Sequence, residues 1–294
     1  MADPKRLRLR RSAFELHLEP QLGGAISLLR HDERDLLRPA GEALLKGRDP
    51  RSASCFPLVP FSNRIADARF RFQGRTCELP ANFPPEPHAI HGQGWQSAWE
   101  VGEVAADRAE VSFRHAVPGT PLDYRARQVF ELSDDGLGVT LVVENAGGRP
   151  MPVGIGLHPY FVRTEGVVLR AKLDHVWLAD QRNIPKERVP LPARWDFAKA
   201  PRIGSLEMDN CFGGWNGEAE IRWPEIGLTL RIEAEPVFGH LVVYVPAGED
   251  FFCVEPVSNA NDGFNLFERG VPGTGVRVLA PGETLAGTIR FRIG

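Results

Sequence analysis

The chain has 294 residues, with 35 Lys and Arg against 38 Asp and Glu for a net charge of −3, and 43% of it is apolar. That is ordinary globular composition and excludes wholesale disorder. The near-balanced charge offers no basic face of the kind nucleic acid requires, and no apolar run approaches the ~18 residues of a membrane span.

Period-2 alternation dominates the chain from its start. Lys5 to Arg11 interleaves basic residues with Leu7 and Leu9 and reads as a charged edge strand. No apolar core of a secretory leader precedes it, and Cys55, Cys77, Cys211 and Cys253 lie far apart with no CxxC pair. Neither a zinc site nor a disulfide framework is expected of them, and a reduced, cytoplasmic setting is. Phe14 to Leu18 alternates as a strand, and Glu42 to Lys46 reads as a short helical turn. Ala68 to Phe72 and Arg75 to Leu79, joined by Gln73-Gly74, make a hairpin, followed by a stiff Pro-rich loop from Phe83 to Pro87. After a strand from Arg108 to His115, the strongest hairpin runs Arg125 to Leu132, turns at Asp134-Asp135-Gly136 and returns through Leu137 to Glu144. Val167 to Leu173, a helical turn at Trp195 to Lys199, Ile221 to Trp223 with Leu228 to Ala234, Leu241 to Val245, Phe251 to Glu255 and Thr288 to Ile293 complete the pattern. Gly (30) and Pro (25) supply the turns that many short strands need. No repeat, low-complexity tract or linker divides the chain. Residues 1–294 are therefore expected to form a single all-β domain, one large antiparallel β-sandwich.

Four segments set titratable residues among Gly, Pro and aromatics. In Cys55 to Ile65, Asn63 and Arg64 end an apolar run, so the Arg fork either binds hydroxyls or a carboxylate of a ligand or salt-bridges a neighbour. Pro87 to Trp95 holds His88 and His91, three apart, but no acidic partner of a metal motif accompanies them, and no metal is expected. Its Gly92 and Gly94 permit close approach of a ligand, while Trp95 and Trp99 are either flat binding faces or core. In Gly154 to Phe161, His158 ends a β-run before Pro159 and is either a pH-7 acid or base or a core histidine. In Phe251 to Asn259, alternation puts Phe251, Cys253 and Glu255 on one face and Phe252 and Val254 on the other. A buried Glu255 would be a base with a raised pKa; on an edge strand it would merely guard the edge. Together, His158 and Glu255 make an acid/base pair with Arg64 and His91 as polar binders. No phosphate loop, nucleophile elbow or metal-ligand cluster competes, so the chemistry expected is proton transfer on a polar, uncharged substrate without a cofactor.

These motifs resemble those of the aldose 1-epimerases, the galactose mutarotase family, from Gly23-Gly24-Ala25 to Asn265. The likeness rests on Asn63-Arg64-Ile65, His91-Gly92, His158-Pro159-Tyr160-Phe161, Met208 to Phe212 and Val254-Glu255-Pro256. It implies the family's β-supersandwich and interconversion of the α and β anomers of a hexose. In that reading Glu255 is the base at the anomeric hydroxyl and His158 the acid at the ring oxygen. His91 is a second histidine on the substrate, and Arg64 and Asp209 bind hydroxyls, with Asn63 and Trp95 completing the binding set. A bell-shaped pH–rate profile within about pH 5 to 9 is expected of such a pair. The chain departs from the galactose mutarotases where Gln93-Gly94-Trp95 follows His91-Gly92 and where Pro159 replaces their usual Ser. Galactose therefore does not follow. A phosphorylated or sulfonated hexose, or a carbohydrate-binding protein without catalysis, is the alternative, with Arg69, Arg71 and Arg163 either serving an anionic sugar or solvated on strand faces.

Overall fold

A computed structural model of the chain describes residues 6–46 and 49–294. Strands form where apolar and polar residues alternate: Arg108–Ala116 turns Ala109, Val111 and Phe113 inward and its other side chains toward solvent. Eight such strands make one antiparallel sheet in the order Glu100–Val104, Arg108–Ala116, Asp123–Leu132, Gly136–Asn145, Thr284–Ile293, Leu228–Ala234, Glu218–Trp223, Val168–Ala171.

The second sheet is larger. Its order is Leu7–Arg11, Phe14–Glu19, Ala25–His31, Cys55–Leu58, Gly156–Val162, Phe251–Val257, His240–Val245, Met208–Gly213, His175–Ala179, Pro185–Pro190, with Arg34–Asp35 paired beside Ala25–His31. Leu7–Arg11 is the charged edge that its sequence implies, pairing among the described residues with Phe14–Glu19 alone; Lys5 lies outside the described residues. The Arg69–Phe72 and Arg75–Glu78 hairpin stands apart as its own small sheet.

The two sheets enclose one continuous core. Leu157, Phe161, Leu241, Val243, Phe252 and Val254 of the larger sheet belong to it, together with Val139, Leu141, Ile289 and Phe291 of the smaller. The opposite face of the larger sheet carries a second buried cluster, including Phe56, Tyr160, Cys211, Val242 and Cys253. Its central strands are thus covered on both sides. This explains why Cys55–Leu58, Gly156–Val162, Met208–Gly213 and His175–Ala179 lack the alternation by which the other strands are legible. The Phe251–Val257 strand sits between two partners, so Glu255 guards no edge.

Candidate active site

The floor of the site is the outer face of the larger sheet. Gly156 lies opposite Val257 and Tyr160 opposite Cys253, a register that sets His158 across from Glu255. The same rows continue sideways, with Glu255 facing Val242, Cys253 facing Tyr244, and Tyr244 facing Asp209. Period 2 thus delivers His158, Glu255, Tyr244 and Asp209 to one face from four neighbouring strands. His158 Nε2 lies 3.3 Å from Glu255 Oε1. Tyr160 stacks on the imidazole at 4.7 Å, and Phe56, tilted, packs beside both rings, 4.7 Å from His158 and 6.0 Å from Tyr160.

The wall comes from two loops fastened to that floor. Ser62 donates from its backbone N–H to Asn259 Oδ1 at 3.0 Å, and Arg64 N–H donates to Asn261 Oδ1 at 3.1 Å. Asn63 and His91 both take positive φ, 58° and 61°, and lock each other. His91 N–H donates to Asn63 O at 2.9 Å, and Asn63 N–H donates to His91 Nδ1 at 3.1 Å. Because Nδ1 accepts, the neutral ring carries its proton on Nε2, the tautomer of a donor. Gly92 takes φ +67°, and a Cβ there would stand 2.0 Å from Val59 O. A Cβ on Gly94 would stand 2.4 Å from the Val59 side chain, so the glycines flanking Gln93 serve close approach of Val59 and not of a ligand.

Arg64 shows how its open alternatives combine. Its Nε and Nη2 donate to the two oxygens of Glu86 at 2.9 and 3.1 Å, the bidentate pairing of an ion pair. Nη1 is left to Asn63 Oδ1 at 3.3 Å and faces Asp209 Oδ2 at 3.6 Å. Arg64 is thus both salt-bridged and exposed to the site by one nitrogen.

The open cleft above this floor has a volume of about 1160 Å³ and is lined by His158, Glu255, Arg64, His91, Asp209, Asn63 and Trp95 together. Burial governs its electrostatics. Desolvation pushes the Glu255 carboxyl well above its usual 4.5, reinforced by Asp209 and opposed by Arg64. Desolvation, aided by the nearby Arg38 charge, drops His158 to about 3. Burial, His158 and Arg64 likewise hold His91 far below the usual histidine range. Asp209 is raised by burial and by Glu86 against the pull of Arg64. Burial works against the Arg64 charge, but Glu86 and Asp209 outweigh it and raise its pKa. His158 and Glu255 therefore share one proton near neutrality, which is the cheapest way to bury such a pair. Burial thus disfavours imidazolium at His158, and its pKa lies near 3 and not within the pH 5 to 9 range expected from the sequence.

Several residues of the sequence motifs sit elsewhere. His88 Nδ1 accepts from Asp67 N–H at 2.9 Å and orients its loop. Gln93 accepts from the Tyr124 hydroxyl at 3.1 Å, and Trp99, Trp215 and Phe212 belong to the main core. Trp95 is 2% exposed and donates to Ile90 O and Gly92 O, so it forms cleft wall stacked on Phe56. Arg69 and Arg71 are exposed, and Arg163 donates to the carbonyls of Gly204 and Leu206; none of the three lines the cleft. Glu86 and Arg38 do line it, though nothing in their sequence setting marks them. Glu86 sits in the Pro-rich loop, its partner 22 residues away, and Arg38 packs its guanidinium 4.3 Å over Tyr160 and 4.5 Å over Phe251.

The sequence profile of the aldose 1-epimerase family matches residues 7–292. The uncharacterized protein YphB of Escherichia coli K12 is 34% identical over 279 residues, 92% of this chain and 93% of YphB. A crystal structure from Escherichia coli K12, described as a candidate aldose 1-epimerase, superposes with a TM-score of 0.90 at 32% identity, covering 99% of both chains. The galactose 1-epimerase of Lactobacillus acidophilus NCFM shares the fold, with a TM-score of 0.80 at 16% identity over 98% of this chain and 94% of that one.

Proposed function

Because the chain belongs to the aldose 1-epimerase family and is thereby an isomerase acting on carbohydrates, we propose that it interconverts the α and β anomers of a neutral hexose, with Glu255 and His158 as its acid/base pair. The observation that carries this reading is the buried His158–Glu255 pair, 3.3 Å apart, at the floor of a cleft whose wall holds Arg64, His91 and Asp209. The proton that burial keeps on Glu255 first passes to His158 across their 3.3 Å contact; the Glu255 carboxylate then takes the proton of the anomeric hydroxyl while the imidazolium gives one to the ring oxygen. The C1–O5 bond opens, the aldehyde rotates about C1–C2, and reclosure runs the same transfers backward. Each cycle leaves the pair with the single proton it began with, so no co-reactant is needed. His91 donates from Nε2 to a sugar oxygen, and Arg64 and Asp209 hold hydroxyls, with Asn63 and Trp95 shaping the wall.

Charge favours a neutral sugar over a phosphorylated or sulfonated one. Among the described residues, Asp49, Glu86, Glu207, Asp209, Glu249 and Asp250 line the cleft against Arg38, Arg51 and Arg64. Arg51 is paired with Asp49 and Arg64 with Glu86, and Arg38 packs on the Tyr160 and Phe251 rings, so among the described residues no two arginines are free to clamp an anion. Anomer exchange measured by NMR on glucose, galactose, a hexose 6-phosphate and a sulfonated hexose tests the proposal. Acceleration on a neutral hexose supports it; acceleration confined to the anionic sugars overturns the substrate class.

A further inference from the structure

We propose that Cys253, His158 and Glu255 form a binding site for a thiophilic divalent cation, Zn2+ or its analogue Co2+, whose occupation blocks the acid/base pair; the blocking, but not the binding, rests on the function proposed above. One donor atom from each residue lies within 4.8 Å of the others, and all three residues are buried. Cys253 precedes Glu255 by two residues on the same face of its strand, and the register that sets Tyr160 against Cys253 sets His158 against Glu255. Proton transfer to and from a sugar uses the imidazole and the carboxylate and leaves the thiol without a task. His158 Nδ1 is also buried without a hydrogen-bond partner among the described residues.

One sulfur, one imidazole nitrogen and one carboxylate oxygen are a donor set that suits Zn2+ and not Mg2+ or Ca2+, which take oxygen ligands. With Zn–S near ~2.3 Å and Zn–N or Zn–O near ~2.0–2.2 Å, tetrahedral donors stand roughly 3.3–3.8 Å apart. Separations of up to 4.8 Å therefore close by small side-chain rotations. On binding, the thiol and the carboxyl each release a proton to solvent, and their two negative charges cancel the cation's charge. That leaves a complex with no net charge, the form that burial tolerates. His158 and Glu255 line the cleft, which gives the ion its path and leaves a fourth position for water or a sugar oxygen.

Co2+ titration of the full chain, followed by visible and near-ultraviolet absorption, tests this directly. Wild type should bind one Co2+ with intense tetrahedral bands and a thiolate charge-transfer band. Cys253→Ser should lose the charge-transfer band, keep its sugar turnover, and need at least about tenfold more Zn2+ for half-inhibition. Glu255→Gln, which keeps the thiol, should retain the charge-transfer band at weaker affinity, so the site can be judged even if Cys253→Ser does not fold. Sugar should protect wild type from Zn2+. A pale octahedral Co2+ spectrum in wild type, or equal Zn2+ sensitivity in Cys253→Ser, overturns the site. Because the spectrum needs no turnover, it stands or falls separately from the mutarotase reading.

Discussion

Glu255 is the residue on which catalysis and stability pull in opposite directions. Its folded pKa lies well above the 4.5 of a free carboxyl. The stability it lends is complete below about pH 4.5 and is lost as pH rises toward its raised folded value, because only the unfolded chain ionises freely in that window. Glu255→Gln should therefore raise Tm at pH 7 by a few degrees, about 1 kcal/mol, while cutting kcat about 10²–10⁴-fold. Thermal melts beside turnover decide this; a lower Tm with retained turnover contradicts it. For kcat/KM, the pair must hold one proton. The profile should stay flat through pH 6.5, fall on the acid side only near pH 3 as His158 takes a second proton, and fall on the alkaline side as Glu255 loses its own. A drop centred on 6.5 would place His158 in an ordinary aqueous setting. Glu86 adds a third expectation at this scale. Removing its grip on Arg64 in Glu86→Ala should raise KM about tenfold with kcat changed little, since hydroxyl binding and not proton transfer is disturbed. Glu255 and His158 were legible because each is a titratable group set in an apolar run. Glu86 and Arg38 were not, because what gives them meaning is a partner brought in by folding, Arg64 for one and the Tyr160 ring for the other.

At the scale of elements, the walls depend on backbone that few side chains tolerate. Gly92 presses on Val59, and His91 just before it is held by Asn63. Gly92→Ala should cost about 1–3 kcal/mol and displace His91, seen as a lower Tm together with a higher KM. Unchanged values of both would mean that the loop relaxes freely. Half-exposed strands such as Arg108–Ala116 and Asp123–Leu132 announce themselves by alternation. Cys55–Leu58 and Met208–Gly213 do not, since neighbours cover both faces, and the six residues of Gly263–Glu268 are too short for a helical period.

Across the whole molecule, one wide sheet does two jobs: its inner face closes the core and its outer face carries the site. The strand order that makes this possible inserts Gly156–Val162 between Cys55–Leu58 and Phe251–Val257, segments about 100 residues away on either side. Periodicity cannot supply such an order, whereas the resemblance of five motifs to a known family did. No helix among the described residues is long and apolar enough to cross a membrane. The carboxylate-rich cleft predicts that a neutral hexose outpaces its 6-phosphate in kcat/KM, with the gap narrowing as salt rises.

The most direct measurement is the NMR exchange rate between α and β anomers of glucose and galactose, with catalytic amounts of wild type, Glu255→Gln and His158→Ala. Exchange accelerated by wild type and reduced toward the uncatalysed rate in both variants is the expected result. Undiminished acceleration in either variant, or none by the wild type while sugar still binds, would contradict the acid/base pair at the centre of this account.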